Sequence, residues 1–425
     1  MIGMEAKALS SLVVGALAAA AAPALAQNVP GAGHTALALS GFQTVAAAAA
    51  PDGAERGTAV LSESEIEASG LVRTNGGGLF GVRAAVNLTA TTGYARSLWR
   101  ASVPEWSVFA VGSFGRIELG ERAGFPQSLV GFTPSEIAFT SAPFGPGGGT
   151  RLDPDGRLPT RALPAPLAAR IDGLSSLGFA ARLYRDRSAK IVWITPRSRS
   201  GFYGAFSYTP RVTRSPGLLL GEGTHSTSRP RGPLASAQPA LAQPALAQED
   251  LIQAAAVWNH RSSDIELTLG ATVSHVRERG ADMQWRGTGS VSAGLTATLR
   301  DTWTFGLSAT VDDPPTPGID GHPYGVVTSL DWVSGPWVVG GYVQHARSAR
   351  TTASTGAEVL DVAEAGASLQ IDRNHDLFGA GRYTDARIFA AAYHYRLSGT
   401  ESAAPTGLAR TRGLVLLAGA QFSFF

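Results

Sequence analysis

Histidine is the side chain best suited to acid–base chemistry and metal binding near neutral pH, and the chain has eight of them. They are His34, His225, His260, His275, His322, His345, His375 and His394. No two of them stand at a metal-ligand spacing with a carboxylate, the chain has no Cys, and no G-x-S-x-G nucleophile motif occurs. The sequence therefore predicts no metal, no cofactor and no catalytic residue. A lipase assembled from Ser, His and Asp or Asn far apart in the chain stays open as an alternative.

A glycine-rich motif is the second pattern with a possible chemical role, because such motifs can hold a phosphate. Residues 76–81, Gly-Gly-Gly-Leu-Phe-Gly, satisfy G-x-G-x-x-G. A dinucleotide site needs a strand before this motif and a helix after it. An alternating, strand-like stretch begins at Leu79 instead, so we interpret the motif as a turn.

Charge is the third pattern. The 425 residues include 35 Lys and Arg against 33 Asp and Glu, a net charge of +2, which is too small for nucleic-acid binding. The distribution is uneven, because residues 151–231 hold 13 Arg and one Lys against five acids, a local balance of +9. This excess is either solvated loop charge or a set of arginines that lines a passage and favours anions.

The first 26 residues have the form of an export signal. Lys7 precedes an Ala-rich apolar run from Leu9 to Pro23, and Ala24-Leu25-Ala26 has the small-x-small form that a signal peptidase requires. We expect residues 1–26 to be removed, so that the mature chain begins at Gln27. The alternative is a membrane anchor, but an apolar run of about 15 residues is short for the ~20 of a helical span.

Strict alternation of apolar and polar residues dominates the rest of the chain. One face of the stretch that starts at Trp303 is apolar, and it comprises Trp303, Phe305, Leu307, Ala309 and Val311. Thr304, Gly306, Ser308 and Thr310 form the other face. A period of two predicts a β-strand with one apolar and one polar side. The same pattern recurs at 265–273 and 291–299.

Sixteen candidate strands fit this template within residues 27–425. They lie near 33–45, 58–72, 78–92, 104–113, 115–122, 187–195, 201–210, 250–261, 264–277, 285–299, 302–311, 324–333, 336–347, 359–370, 384–397 and 411–425. Counted from the first, the odd connections are mostly long and the even ones short, as at Ser262–Ser263 and Ser334–Gly335. The connection at 371–383 breaks this rule. Either strand fifteen begins earlier, near Leu377, or the count is off by one there.

Short turns at one end and long loops at the other are typical of an up-and-down transmembrane barrel. We therefore predict an all-β fold, a 16-stranded antiparallel transmembrane β-barrel over residues 27–425. Its Thr-, Ser- and Gly-rich faces suit a water-filled lumen, and its apolar faces suit lipid. The aromatic residues expected at the membrane interfaces are Trp258, Trp303, Trp332, Trp337, Tyr393 and Tyr395. The alternative is a two-sheet sandwich with these aromatics in its core.

Four features carry a resemblance to a known family. Trp106 to Glu121 has a hairpin whose second strand reads Gly-x-x-x-Leu-Gly, and a Gly- and Pro-rich insertion follows it at 123–186. A second hairpin follows from Ala189 to Pro210, and the chain ends in Phe425. Together these features resemble the Gram-negative general porins of the alphaproteobacterial type. Phe425 departs from the family pattern, because it falls on the parity opposite to Phe422 and Phe424.

The resemblance implies an outer-membrane porin that lets small hydrophilic solutes and ions diffuse through a water-filled channel. It further implies a homotrimer in contact with outer-membrane lipid and lipopolysaccharide, and no nucleic-acid partner. Small residues on outward faces, such as Ala254, Ala256, Ala390 and Ala392, would allow close packing of copies. The alternatives are an envelope barrel with an adhesin or structural role, plugged by its loops, and the lipase above.

The expected constriction combines the 123–186 loop with the barrel wall. A connection of roughly sixty residues far exceeds the usual 2–5 of a hairpin, so we expect it to fold inward as the third loop. Its candidate acids are Glu136, Asp153 and Asp155. Strand parity places the wall candidates Arg83, Asn87, Arg116, Glu118 and Arg122 on the lumen side. Arginines facing acids across a narrow gap would favour polar solutes, with a weak preference for anions.

A second long loop is expected at 211–249. It contains two near-copies of a five-residue unit, Gln-Pro-Ala-Leu-Ala, from Gln238 to Ala247. Repetition of this kind predicts a flexible, low-complexity extracellular loop without a packed core, rather than a binding platform.

Overall fold

The computed structural model describes most of the chain between residues 35 and 424. The described ranges are 35–51, 57–74, 77–92, 97–121, 162–164, 167–168, 170–171, 174–175, 188–212, 218–223, 247–279, 285–313, 321–348, 357–373, 384–399 and 410–424. Residues 1–26 lie outside these ranges, as do Phe425 and most of the two long loops, so the expected export signal stays a prediction.

β-strands form nearly all of the described structure. They are β1 (Thr35–Ala50), β2 (Gly57–Arg73), β3 (Leu79–Thr92), β4 (Ser97–Gly112), β5 (Gly115–Glu121), β6 (Ala189–Ile194), β7 (Phe202–Val212), β8 (Leu218–Gly223), β9 (Ala247–Arg261), β10 (Ile265–Arg279), β11 (Trp285–Leu299), β12 (Trp303–Asp312), β13 (Tyr324–Ser334), β14 (Trp337–Arg347), β15 (Val359–Arg373), β16 (Thr384–Ser398) and β17 (Arg410–Phe424).

Sixteen of these strands close into one antiparallel barrel, as predicted. Each pairs with its neighbour in the chain, except that β7 pairs directly with β9. β17 returns to β1, with Gly41 opposite Phe424 and Ala49 opposite Leu416. Closure leaves none of the sixteen as a free edge, which is what a sheet in a lipid environment requires.

β8 is the strand that the sequence did not predict. It lies within the expected 211–249 loop and pairs with the N-terminal part of β4, with Trp99 opposite Gly223 and Ser102 opposite Leu219. Since β5 pairs with β4 only from Trp106 to Gly112, β8 covers a stretch of β4 that would otherwise be an open edge. The loop is therefore shorter than expected, because β7 continues to Val212 and β9 begins at Ala247.

β4 begins earlier than the predicted residue 104. Its ladder with β3 shifts register between Ala85 and Asn87, opposite Glu105 and Ser102. Pro104 lies within this bulge, where its missing N–H costs the ladder no hydrogen bond. The strand therefore continues past the proline to Ser97.

The two faces of the strands alternate as predicted. Leu269, Val273, Val291, Trp303 and Phe305 are exposed on the outside of the isolated barrel. Residues of the opposite parity are buried on the inside, and on β10 to β12 they are Thr268, Thr272, Ser274, Ser290, Ser292, Thr296, Ser308 and Thr310. Facing hydroxyls pair across strands here, with Ser292 Oγ and Thr310 Oγ1 at 3.0 Å.

One end of the barrel, which we call the turn end, carries the short connections 113–114, 262–264, 300–302 and 335–336. β1 starts and β17 finishes at this end. The opposite end, the loop end, carries the connection from β5 to β6 and the one from β7 to β9. The connection at 374–383 belongs to the turn end and lies outside the described residues, but the count of sixteen holds on both sides of it.

Exposed aromatic side chains form a girdle near the turn end. Trp193, Trp303, Trp332 and Trp337 lie there, with the rings of Trp303 and Trp332 6.4 Å apart. Trp258 joins them on β9, with its ring 6.0 Å from Phe202. The expectation for Tyr393 and Tyr395 was wrong: both point inward and are buried, because an apolar cluster inside the barrel surrounds them.

No helical segment in the described part of the chain is long and apolar enough to cross a membrane.

Candidate functional site

A group of charged side chains lines the inner wall on β2 to β4. Arg83 on β3 faces inward, as its parity predicted, and its Nη2 contacts Glu67 Oε2 on β2 at 2.5 Å. The same nitrogen lies 3.8 Å from Glu105 Oε2 on β4. The Arg83 side chain is 29% exposed, which is ample for contact with water in the lumen. One arginine on the central strand thus links acids on both neighbouring strands.

The charged wall continues onto β5. Arg116 forms an ion pair with Glu118, two residues further on the same inward face of this strand. Its guanidinium carbon lies 4.2 Å from the centroid of the Phe109 ring on β4, an arrangement that allows a cation–π contact. The Arg116 side chain is 35% exposed while that of Glu118 is 2% exposed. Arg116 therefore presents positive charge to the lumen, with its counterion buried behind it.

The opposite inner wall, on β13 to β17 and β1, is apolar over its loop-end half. Strand β15 is nearly diametrically opposite β5, because six barrel strands lie between them in one direction and eight in the other. The apolar inward side chains of this half form one buried cluster, which includes Val327, Tyr342, Ala346, Leu360, Val362, Phe389, Ala391, Tyr393, Tyr395, Leu397, Val415, Leu417, Ala46 and Ala48. The prediction of a polar lumen face is correct for β10 to β12 and wrong for the loop-end half of this wall. Toward the turn end the inward residues of the same strands are polar, and they include Thr44, Ser329, Asp331, Glu364, Ser368 and Gln421.

Residues of the 123–186 loop cover the apolar wall. Ala162, Leu163, Leu167, Ile171 and Leu174 belong to the same buried cluster, and positions 167–168, 170–171 and 174–175 are helical. We call residues 162–175 the loop helix segment. Its apolar residues recur at intervals of three and four, which is the spacing of one helix face. The wall is apolar because this face packs on it.

Polar contacts hold the loop helix segment at the upper part of that wall. Arg170 Nη2 lies 2.7 Å from Glu358 Oε1, just before β15, and the two side chains are 8% and 18% exposed. Gln344 on β14 donates from Nε2 to the carbonyl oxygen of Ser175 at 2.8 Å. The inward-folded third loop, expected from its length, is thus confirmed for its described residues.

The interior therefore has two unlike sides. The loop leaves β5 beside the charged wall and is attached across the lumen, which leaves the space for passage bounded by Arg83 and Arg116 on one side. Charged groups with partial exposure need water around them, so this wall can line an aqueous passage. Arg83, Arg116 and Glu118 face the inside of the barrel, as strand parity predicted, and their place in a constriction stays a prediction. The side chain of Asn87, together with Arg122, Glu136, Asp153 and Asp155, lies outside the described part of the structure.

Sequence reasoning missed several members of the site. Glu67 and Glu105 have the inward parity on β2 and β4, so the rule that identified Arg83 also identifies them. Leu163, Leu167, Ile171 and Leu174 carried a helical spacing within a segment interpreted only as a Gly- and Pro-rich insertion. Among the described residues, no group of three or more His, Asp or Glu is arranged to hold a metal ion.

Comparisons with known proteins agree with this architecture. The model of the Gram-negative porin family matches residues 11–413. No curated protein has a sequence that matches this chain significantly. Three solved structures illustrate the similarity in fold. OmpT, an outer membrane protein of Vibrio cholerae in its trimer form, is 11% identical, with a TM-score of 0.51 over 92% of this chain and 99% of that chain.

The anion-selective porin from Comamonas acidovorans is 12% identical, with a TM-score of 0.51 over 92% of this chain and 99% of that one. OmpF of Salmonella typhi, in complex with daunomycin, is 8% identical, with a TM-score of 0.54 over 93% and 99%. At these identities the structures show a common fold. The family match covers most of the sequence and the barrel closes as that fold requires, so the chain belongs to the Gram-negative porin family.

Proposed function

We propose that this outer-membrane porin is a general diffusion channel for small hydrophilic solutes and ions. The observation that carries the proposal is the charged wall: Arg83 and Arg116 point into the barrel, yet their side chains stay 29% and 35% exposed. Inward-facing charge of this kind is stable only beside water, which a passage through the barrel supplies. The packed loop helix segment narrows that passage from the other side.

Conductance of the purified protein in a planar bilayer, measured across an ion gradient, tests this proposal. We expect stepwise insertion events with an ohmic current, and a reversal potential displaced slightly toward that of an anion-selective channel. The described wall holds Glu67, Glu105 and Glu118 against Arg83 and Arg116, so this preference would come from the arginine excess in 151–231. An absence of current after verified insertion would contradict the proposal. The weak anion preference expected from the arginine excess in 151–231 is kept as part of the proposal, and the sign of the reversal potential tests it.

A homotrimer is the proposed assembly. β5 and β6 have only 7 and 6 residues, whereas a tilted transmembrane strand needs about 9–11. This low part of the wall carries the exposed apolar residues Ile117, Leu119, Ile191 and Trp193, and Trp106 on the adjoining β4 is exposed beside them. Lipid alone would cover such a short wall poorly, whereas a second copy of the chain would cover it well. The similar OmpT from Vibrio cholerae is described in a trimer form, which supports the proposal by analogy.

Cross-linking of detergent-extracted protein tests this assembly, and recovery of monomer alone would count against it. Close packing of copies through alanines would need these residues to point outward. Ala256 and Ala390 do point outward, since both are exposed. On β9 and β16, however, these alanines lie away from β5, so we assign the contact to the low wall.

Export and lipid contacts complete the proposal. Residues 1–26 would be removed as a signal peptide, which N-terminal sequencing of the mature protein at Gln27 would test. Outer-membrane lipid, including lipopolysaccharide, would surround the apolar outer face. We propose no enzymatic role, and a hydrolysis assay on the solubilised protein separates the channel from the lipase alternative. The plugged, structural barrel is separated from the channel by the conductance measurement.

A further inference from the structure

A row of ionisable side chains crosses the outer face of the barrel at the loop end. His345 on β14, Asp361 on β15, Arg396 on β16 and Arg412 on β17 are consecutive partners in the strand register. His345, Arg396 and Arg412 are exposed, the Asp361 side chain is 49% exposed, and each of the four has the outward parity of its strand. We call these four residues the outer row. An outer face that contacts lipid is apolar, so a charged row on it marks a level where lipid headgroups begin.

Charge within the outer row is only half compensated. His345 Nδ1 lies 2.7 Å from Asp361 Oδ1, so the carboxylate has a partner on its own side of the row. Arg396 and Arg412 face each other directly across β16 and β17. Neither has an ion pair among the residues that the structure describes. Two like charges in directly opposite positions destabilise a sheet unless an anion binds between them.

The depth of the outer row matches the outer membrane interface. β14 has Trp337 of the aromatic girdle at its turn end and His345 eight residue steps above it. Those steps, at ~3.4 Å each along a strand tilted by ~40°, span roughly 20 Å along the membrane normal. An apolar barrel band is ~25 Å tall, so the girdle and the outer row lie at its two edges. Arg396 and Arg412 are therefore level with the headgroups of the outer leaflet.

Small side chains occupy much of the outer face between the two arginines and the turn end, although Leu414 and Leu416 lie directly below Arg412 on β17. On β15 to β17 they are Ala363, Ala365, Ala367, Ala390, Ala392, Ala418 and Ala420. His394 interrupts this strip one outward position below Arg396 and adds a polar group near the guanidinium groups. A surface of methyl groups leaves a shallow strip along which acyl chains can lie. This strip is on the side of the barrel opposite the low wall of β5 and β6, so it faces lipid in the proposed trimer.

We propose that Arg396 and Arg412 bind the phosphate group of an anionic outer-leaflet lipid, whose acyl chains lie on the alanine strip below. The proposal rests on the outer-membrane location and on the proposed trimer contact. Guanidinium groups match phosphate oxygens with paired N–H donors, and two of them side by side suit a phosphomonoester. A free phosphate ion would use the same donors without the alanine strip. The lipid headgroup is the occupant to which we commit.

The test measures binding to the full-length mature protein in a neutral detergent. The probes are bis-phosphorylated lipid A, the same lipid A after removal of both phosphates, and inorganic phosphate. Native mass spectrometry gives the bound fraction of each. The variant is Arg396→Gln with Arg412→Gln, and the matched control is Arg261→Gln with Arg300→Gln at the turn end, where both arginines are exposed.

We expect the phosphorylated lipid to bind the wild-type protein and the control variant equally. A basic residue at a membrane surface contributes ~1 kcal/mol to binding an anionic lipid, so the loss of both arginines should weaken binding by roughly 30-fold. Dephosphorylated lipid A should bind the wild type, the variant and the control equally weakly, at the level at which phosphorylated lipid A binds the variant. Equal affinity of the variant and the wild type for phosphorylated lipid A would overturn the proposal, as would inorganic phosphate competing at the lipid's own concentration.

Conductance separates this proposal from the channel function. The Arg396→Gln and Arg412→Gln variant should keep the wild-type single-channel current, because both residues lie on the outside of the barrel. A protein that conducts nothing but binds phosphorylated lipid A through these arginines would refute the channel and leave the lipid site intact.

Discussion

Arg170, within the loop helix segment, places both Nε and Nη2 2.7 Å from a single oxygen, Glu358 Oε1, at the start of the opposite wall. This contact joins residues 188 positions apart in the chain. The ion pair and the buried apolar cluster hold the same segment against the same wall. Together they set the position of the loop helix segment inside the barrel.

Replacement of Arg170 by Ala should loosen the loop. Breaking a mostly buried ion pair by removal of one partner costs about 3 kcal/mol, because the remaining charge is left without its counterion. We expect larger current fluctuations in single-channel recordings and an unchanged strand content by circular dichroism. Arg300→Ala is the control, since the exposed Arg300–Asp264 pair is worth about 1 kcal/mol or less. Equal fluctuations in both variants would show that Arg170 does not hold the loop.

The apolar side of the same attachment gives a second prediction. Leu167 and Ile171 are 1% and 0% exposed, and truncation of each to Ala should cost about 2–5 kcal/mol of the contact between loop and wall. Release of the loop should raise the conductance of the double variant. Outward Leu330→Ala with Val343→Ala is the control, because these side chains are exposed to the outside. A conductance equal to that of the control pair would place the constriction elsewhere.

The charged wall gives a third prediction. Replacement of Arg83 and Arg116 by Ser removes two side chains from the passage and leaves Glu67, Glu105 and Glu118 without their countercharges. The conductance should rise and the reversal potential should move toward that of a cation-selective channel. Arg261→Ser with Arg300→Ser, at the turn end, serves as the comparison. If the current and the reversal potential both stay within error of the wild type, these arginines do not line the narrowest part.

The strand β8 gives a fourth prediction. Leu219 pairs with Ser102 of β4, and Leu219→Pro removes a backbone donor and blocks an extended strand at this point. We expect the upper part of β4, near Ser102, to become a site of limited proteolysis while the barrel stays folded. Leu219→Ala keeps the backbone N–H and should remain protected. Identical cleavage of the two variants would mean that β8 does not shield this edge.

The barrel could be predicted from the sequence because the two sides of each strand meet different surroundings. Lipid favours apolar residues at every second position, and a water-filled lumen favours polar residues at the positions between them. That alternation is strict at 303–311, and both faces there agree with the structure. The inside of β13 to β17 was not predictable from the same rule. Tyr393 and Tyr395 are apolar enough to face lipid, and only the loop helix segment, contributed by residues far away in the chain, makes an apolar inner wall favourable. β8 was not predicted because its six residues are too few to show an alternation of apolar and polar side chains within a long loop.

The attachment of the loop also has a consequence for the order of assembly. The loop helix segment emerges between β5 and β6, but the surface that receives it is built from β13 to β17 and β1. Strands near the C-terminus are synthesised last, and the seam between β1 and β17 joins the two ends of the chain. The narrow state of the passage therefore cannot form before the barrel has closed. A chain truncated before β16 would lack Tyr393, Tyr395 and Leu397, and its loop would have no wall on which to rest.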